Sequence, residues 1–176
     1  MRDYTKQAIL DAFNSLLNQN PFEKITVEMI ATRSGISKAT FYRYFMDKYD
    51  VMNYSFKRLV DSLFVHEECH SWKDMLYHLA YESKKDAVRV AKAYSSQGAN
   101  SYSAYLFEYS YKAVEDVARR CRGYELSSEE RVLLTIFCFG TVGVIYQWIC
   151  GKLDTTAQEL ARQLYNAMPP TLRDLW

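Results

Sequence analysis

Apolar residues recur along this chain at spacings of three and four, the period of helices with one buried face. Ile9, Ala12, Phe13, Leu16 and Leu17 form the first such stripe and predict a helix over residues 4–18. It closes where Asn18-Gln19-Asn20 meets Pro21, because the residue before a proline avoids the helical region. Two short helices are predicted next, over 27–33 and 38–45, then a longer one over 47–64. Further stripes predict helices over 72–83, 86–95, 100–122, 128–150 and 156–167, and no stretch shows the alternation of a half-buried strand. The pattern specifies an all-α protein of about nine helices.

The short helices carry their own punctuation. Thr26, Ser37 and Asp47 stand where N-caps are needed, each with a side-chain oxygen to accept a free backbone amide of the next turn. Ser34-Gly35-Ile36 separates the two short helices, and Gly35 adopts positive φ without steric cost. Two helices crossing steeply over so short a turn form a helix-turn-helix. Ala31 permits the close crossing, and Ile30, Ile36, Phe41 and Phe45 supply a buried face to pack on Phe13 and Leu17. The outward face of the second helix then presents Lys38, Ala39, Thr40, Tyr42 and Arg43. A helix so placed enters the major groove, where small residues at 39 and 40 let its backbone approach the bases. Thr40 offers a hydroxyl and a methyl to base edges, and Arg43 meets a guanine or a phosphate. Tyr42, Tyr44 and Lys48 suit phosphate oxygens.

Charge changes this picture little. The 176 residues carry a net charge of +1, with seven basic and five acidic side chains in residues 1–48. DNA affinity therefore rests on a few placed groups rather than a broad positive field. With 49% hydrophobic and 24% charged residues, and only 3 Pro and 6 Gly, the chain can build a helical core. Its four cysteines form no C-x-x-C pair, so they read as core thiols of a reducing, cytoplasmic compartment. His66, Cys69 and His70 lie close together but lack a fourth ligand, and no metal or cofactor is expected. No phosphate loop, nucleophile elbow or metal-ligand pair is present, which argues against an enzyme.

The stretch ITVEMIATRSGISKATFYRYFMDKYDV resembles the DNA-binding signature of the TetR/AcrR family of transcription regulators, over about residues 5–55. That resemblance implies a three-helix DNA-binding domain, here 1–48, joined through a fourth helix to a larger antiparallel helical domain for regulation and dimerisation, here 49–176. It implies DNA contacts by Thr26, Ser37, Lys38, Thr40, Tyr42, Tyr44 and Lys48, and a homodimer on a palindromic operator, commonly as a repressor. It further implies control by a small-molecule effector or a partner protein.

The second half is less explicit. Residues 132–149 are the most apolar run. A membrane span needs about 20 apolar residues, and this shorter run contains Thr135, Gly140, Thr141, Gly143 and Gln147, so it reads as a core or interface helix. Gly140 and Gly143 leave one side open to close approach. The resemblance implies that this helix and the last one pair with their copies in a second chain, making Gly140, Gly143, Gln147, Leu160 and Leu164 the expected dimer interface. The G-x-x-G-x-x-x-x-W-I run, with the Thr-x-x-Glu-Leu helix and Met-Pro-Pro after it, resembles regulators of the dihydroxyacetone-kinase-activator type. Tyr94, Tyr102, Tyr105, Tyr109 and Tyr146 are candidates for an effector pocket, each pairing a ring with a hydroxyl that needs a partner.

Overall fold

The computed structural model of the chain describes residues 2–64, 70–123, 125–173 and 175. His66 and Cys69 lie outside the described residues. Among those described every regular element is a helix, with no strand. The helices are α1 (Arg2–Gln19), α2 (Val27–Arg33), α3 (Lys38–Tyr42), α4 (Lys48–Phe64), α5 (Trp72–Lys85), α6 (Ala87–Tyr94), α7 (Tyr102–Arg122), α8 (Ser128–Ile149), α9 (Ala157–Ala167) and α10 (Pro170–Arg173). A 3-10 turn spans Phe22–Lys24 between α1 and α2.

All nine expected helices are present, and α10 is additional, opened by the missing N–H of Pro170 at a first-turn position. The largest shift of a boundary is in α3. It ends at Tyr42 rather than at 45, because the N–H of Arg43 and Tyr44 turn back to Thr40 and Phe41 in tight three-residue closures.

Two compact units divide the chain. The first comprises Met1–Val60 with Val88–Tyr102, and so takes in most of α4 and α6 besides the helix-turn-helix. Its interior holds Ile9, Phe13, Leu17, Phe22, Ile30, Phe41 and Val51, all essentially solvent-free. Phe13 and Phe22 meet edge to face at 6.4 Å. Lys92 of α6 donates from Nζ to the carbonyls of Leu17 and Asn18, both at 2.8 Å, placing a cation on the carbonyl end of α1.

The second unit comprises Asp61–Ala87 with Ser103–Trp176. Trp72, Val114, Ala118, Leu134, Cys138, Met168 and Leu172 form its core. Burial pushes the Cys138 thiol up to about 12, as expected of a core cysteine. Cys121 and Cys150, by contrast, are exposed, Cys121 near the end of α7 and Cys150 as the C-cap of α8, so only Cys138 of the three is the expected core thiol. α8 opens with a full capping box, in which Ser127 Oγ accepts from Glu130 N and Glu130 accepts from the Ser127 N–H. Arg122 closes on Glu130 at 2.5 Å and also donates to the Thr171 carbonyl, joining the end of α7 to the starts of α8 and α10.

α8 is the one described helix long and apolar enough to cross a membrane. Leu134, Cys138, Ile145, Trp148 and Ile149 are buried on one side, and Val132, Ile136 and Phe139 are exposed on the other.

Candidate nucleic-acid interface

The site is built from caps. Thr26, in extended conformation, accepts the Met29 amide on its hydroxyl at 3.2 Å and starts α2. Ser34 closes α2, and Gly35 takes φ +71°, which lets the Ile36 N–H return to the Ala31 carbonyl at 3.0 Å. Ser37 then accepts from Thr40 N at 3.0 Å and starts α3. Asp47 Oδ1 accepts from Asp50 N at 2.9 Å, while Asp50 accepts the Met46 N–H, a reciprocal lock at the start of α4. All three N-caps read from the sequence are in place.

Phe41 anchors the inner side of α3 with no exposed surface, backed by Phe45 at 6.1 Å between ring centroids. Ile30 is equally buried. Ile36, expected in this core, is half-exposed, because it is the turn residue itself and lies outside both helices. With the inner side fixed, Ser37, Lys38, Ala39, Tyr42 and Arg43 fall outward and are exposed, and Thr40 and Tyr44 are half-buried. Tyr42 keeps 58% of its surface open, a large exposed ring on a helix otherwise held by its core.

Lys38 reaches across to Glu28 of α2 at 2.8 Å. That hydrogen-bonded pair lowers the Glu28 carboxyl and raises the Lys38 ammonium from their ordinary values. Both side chains are largely exposed, so the pair orients Lys38 more than it stabilises the fold. The partnership spans ten residues and a turn, a separation with no periodic signal, and sequence reasoning missed it. It also missed Lys92.

Lys48 is placed differently from the expectation of a free phosphate ligand. Its Nζ donates to the carbonyls of Phe22, Glu23 and Ile25 at 2.8, 3.1 and 2.9 Å and lies 4.4 Å from the centroid of the Phe22 ring. Burial holds this ammonium below the usual lysine value.

The five candidate effector tyrosines are divided between the two compact units along the chain. Tyr94 and Tyr102 are buried in the first unit, edge to face at 5.1 Å, with Phe56 beyond. Tyr105 and Tyr109 line a groove of about 560 Å3 along α7 in the second unit. There the Tyr109 hydroxyl donates to Asp61 at 3.0 Å, and burial raises its pKa above the usual phenol value. Tyr146 lies on α8 beside Cys150. Among the candidate interface positions, Gly140, Gly143 and Gln147 lie on the exposed side of α8. Leu160 and Leu164 are 1% and 6% exposed: the apolar stripe of α9 is spent on α5 within the chain.

A capped, steeply turned helix pair with a polar outer face over an aromatic core is a helix-turn-helix DNA-binding head. Two family models match the chain: bacterial regulatory proteins of the tetR family over residues 9–54, and a transcriptional regulator C-terminal region over 70–169. The chain therefore belongs to the TetR family of transcription regulators, DNA-binding proteins rather than enzymes. Solved structures agree at the level of fold. The dihydroxyacetone kinase operon activator DhaS superposes with a TM-score of 0.63 at 17% identity, covering 93% of each chain. A TetR transcriptional regulator from Rhodococcus sp. RHA1 gives 0.62 at 17%, and the fatty acid degradation regulator FadR from Bacillus halodurans 0.57 at 18%, each covering 96% of both chains. No curated protein matches the chain in sequence.

Proposed function

We propose that this regulator binds a palindromic operator as a homodimer in the cytoplasm, with residues 1–48 as the DNA-binding domain and 49–176 as the regulatory and dimerisation domain, and that it acts as an effector-controlled repressor. The observation that carries the reading is the exposed face of α3, where Lys38, Ala39, Tyr42 and Arg43 project from a helix whose opposite side is fully buried. Ser37, Thr40 and Tyr44 border that face, and Thr26 caps the helix behind it.

The exposed apolar stripe of α8 supports pairing with a second copy. Val132, Ile136 and Phe139 recur at helical spacing and continue into Gly140, Gly143 and Gln147. A Cβ at either glycine would meet nothing within 4 Å in the single chain, so the gap accommodates a partner helix. A two-fold axis through this seam makes the contact self-complementary. Two α3 helices then address successive major grooves about 34–36 Å apart.

The effector reading rests on the groove beside Tyr105 and Tyr109. Its rim carries Glu108, Lys112, Glu115, Asp116 and Arg119, a mixture of charges that also suits a protein surface. That observation keeps a second reading in play, a co-regulator whose second domain binds a partner protein. Thermal-shift measurements across a metabolite panel separate the two: stabilisation by a small molecule supports effector control.

The primary test is fluorescence anisotropy with duplexes from the DNA flanking the gene, at two salt concentrations, for the wild type and a Tyr42→Ala/Arg43→Ala double variant. Selective, salt-sensitive binding lost in the variant supports the reading. Wild-type binding no tighter than to random duplex, repeated with duplexes selected from a random library, refutes it.

A further inference from the structure

We infer that Lys48 is a positioning residue, a clasp that closes the base of the helix-turn-helix and sets the pose of α2 and α3, and that it makes no contact with DNA phosphate. This inference rests on the operator-binding reading above. An ammonium has three N–H donors and no acceptor. Here three backbone carbonyls, those of Phe22, Glu23 and Ile25, lie at 2.8–3.1 Å from Nζ, and the face of Phe22 lies beneath it. Reaching a phosphate would mean leaving all of them.

The place of those carbonyls gives the clasp its effect. They belong to the 3-10 turn and to Ile25, which immediately precedes Thr26, the N-cap of α2. Lys48 is the first residue of α4, immediately after Asp47. One ammonium thus ties together the two ends of the segment 26–47 that contains α2, the turn and α3. The Phe22 carbonyl also accepts the Ile25 N–H, and a cation at the carbonyl end of the 3-10 turn complements the local dipole. Removing the clasp frees the start of α2 from the start of α4 while leaving the outer face of α3 chemically intact.

Two measurements test this. The first needs no DNA. In reductive methylation followed by mass spectrometry, Lys48 is labelled at least tenfold more slowly than the exposed Lys24. The lowered pKa of Lys48 would by itself speed labelling, so protection reports the clasp. Labelling as fast as Lys24 overturns the inference.

The second compares Lys48→Met, Lys48→Arg and Arg43→Ala on a duplex selected from a random library and on its scrambled counterpart, at a temperature where circular dichroism shows each variant folded. Lys48→Met is expected to lower the selected-to-scrambled affinity ratio about tenfold, with scrambled affinity and salt slope unchanged. Lys48→Arg should do the same, since a planar fork cannot converge on three carbonyls. A purely structural role would leave the ratio at the wild-type value. A salt slope reduced by about 0.9 per subunit in Lys48→Met, as for a lost phosphate contact, overturns the inference, as does wild-type behaviour of Lys48→Arg. If the wild type selects no sequence, the operator-binding reading fails, and the labelling alone decides whether the clasp exists.

Discussion

The helix-turn-helix and α8 use their apolar residues in opposite ways. In the segment 26–47, Ile30, Phe41 and Phe45 are buried to within a few percent, and what remains outside is mostly short or polar. On α8, Leu134, Cys138 and Ile145 are equally buried, yet Val132, Leu133, Ile136 and Phe139 stay exposed on the other side. A helix with one apolar face satisfies it within its own chain and offers polar groups to whatever it meets. A helix apolar on two faces satisfies one in its own core and leaves the second for burial elsewhere, at about 25 cal/mol per Å2 removed from water. The first arrangement suits a polyanion, and the second suits another helix.

Matched truncations test the contrast most directly. Phe41→Ala should cost about 3–5 kcal/mol of unfolding free energy, read by urea titration, whereas Phe139→Ala, at a position 60% exposed, should cost less than about 1 kcal/mol within the protomer. Equal losses would erase the distinction. Next in size, Ile136→Glu on the exposed stripe should weaken self-association by about 3 kcal/mol or more. Light scattering should then give the mass of a single chain with helical content unchanged, and a persisting dimer would move the interface elsewhere.

Two glycines sharpen the comparison at lower energy. Gly35→Ala, at φ +71°, should destabilise by about 1–2 kcal/mol from left-handed backbone alone, since a Cβ there meets no atom. Gly140→Ala, in ordinary helical conformation, should stabilise a dilute protomer by about 0.8–1 kcal/mol while weakening the proposed pairing of two copies, measured as a melting temperature that rises at low concentration and falls at high. The smallest effect concerns pH. The Ser127 N–H and then Arg122 hold the Glu130 carboxyl below its ordinary value of 4.5. A depressed carboxylate contributes its stability above the unfolded pKa and loses it as pH falls through the folded one. Glu130→Gln should therefore flatten the fall in melting temperature below about pH 4.5, leaving the helix-turn-helix caps, which use hydroxyls at Thr26 and Ser37, indifferent to the change.

The same contrast governs what could be read in the sequence. Caps and stripes are local signals, so the order of helices, the N-caps Thr26, Ser37 and Asp47, and the positive φ of Gly35 were all legible. The partner of a side chain is not local. Lys38 with Glu28, Lys92 with the end of α1, and Lys48 with the carbonyls of the 3-10 turn join residues between ten and about seventy-five positions apart, and only the folded chain brings them together. Leu160 and Leu164 show the limit of periodicity: a stripe says that a face is covered, not by what. Abundance and helical position group the tyrosines, but they do not say that Tyr94 and Tyr102 belong to one compact unit and Tyr105 and Tyr109 to the other.

The Lys92 ammonium on the carbonyls of Leu17 and Asn18 has a consequence for modularity. The compact unit that contains the helix-turn-helix is assembled from two stretches of chain, 1–60 and 88–102, so the proposed DNA-binding segment 1–48 packs within a unit that continues beyond it. A chimera that grafts residues 1–60 onto another regulator's second half inherits a foreign side chain where Lys92 belongs and leaves the last turn of α1 without its cation. A graft that carries residues 88–102 along with 1–60 is expected to melt at a higher temperature than one that carries 1–60 alone, because it keeps the Lys92 ammonium on the end of α1.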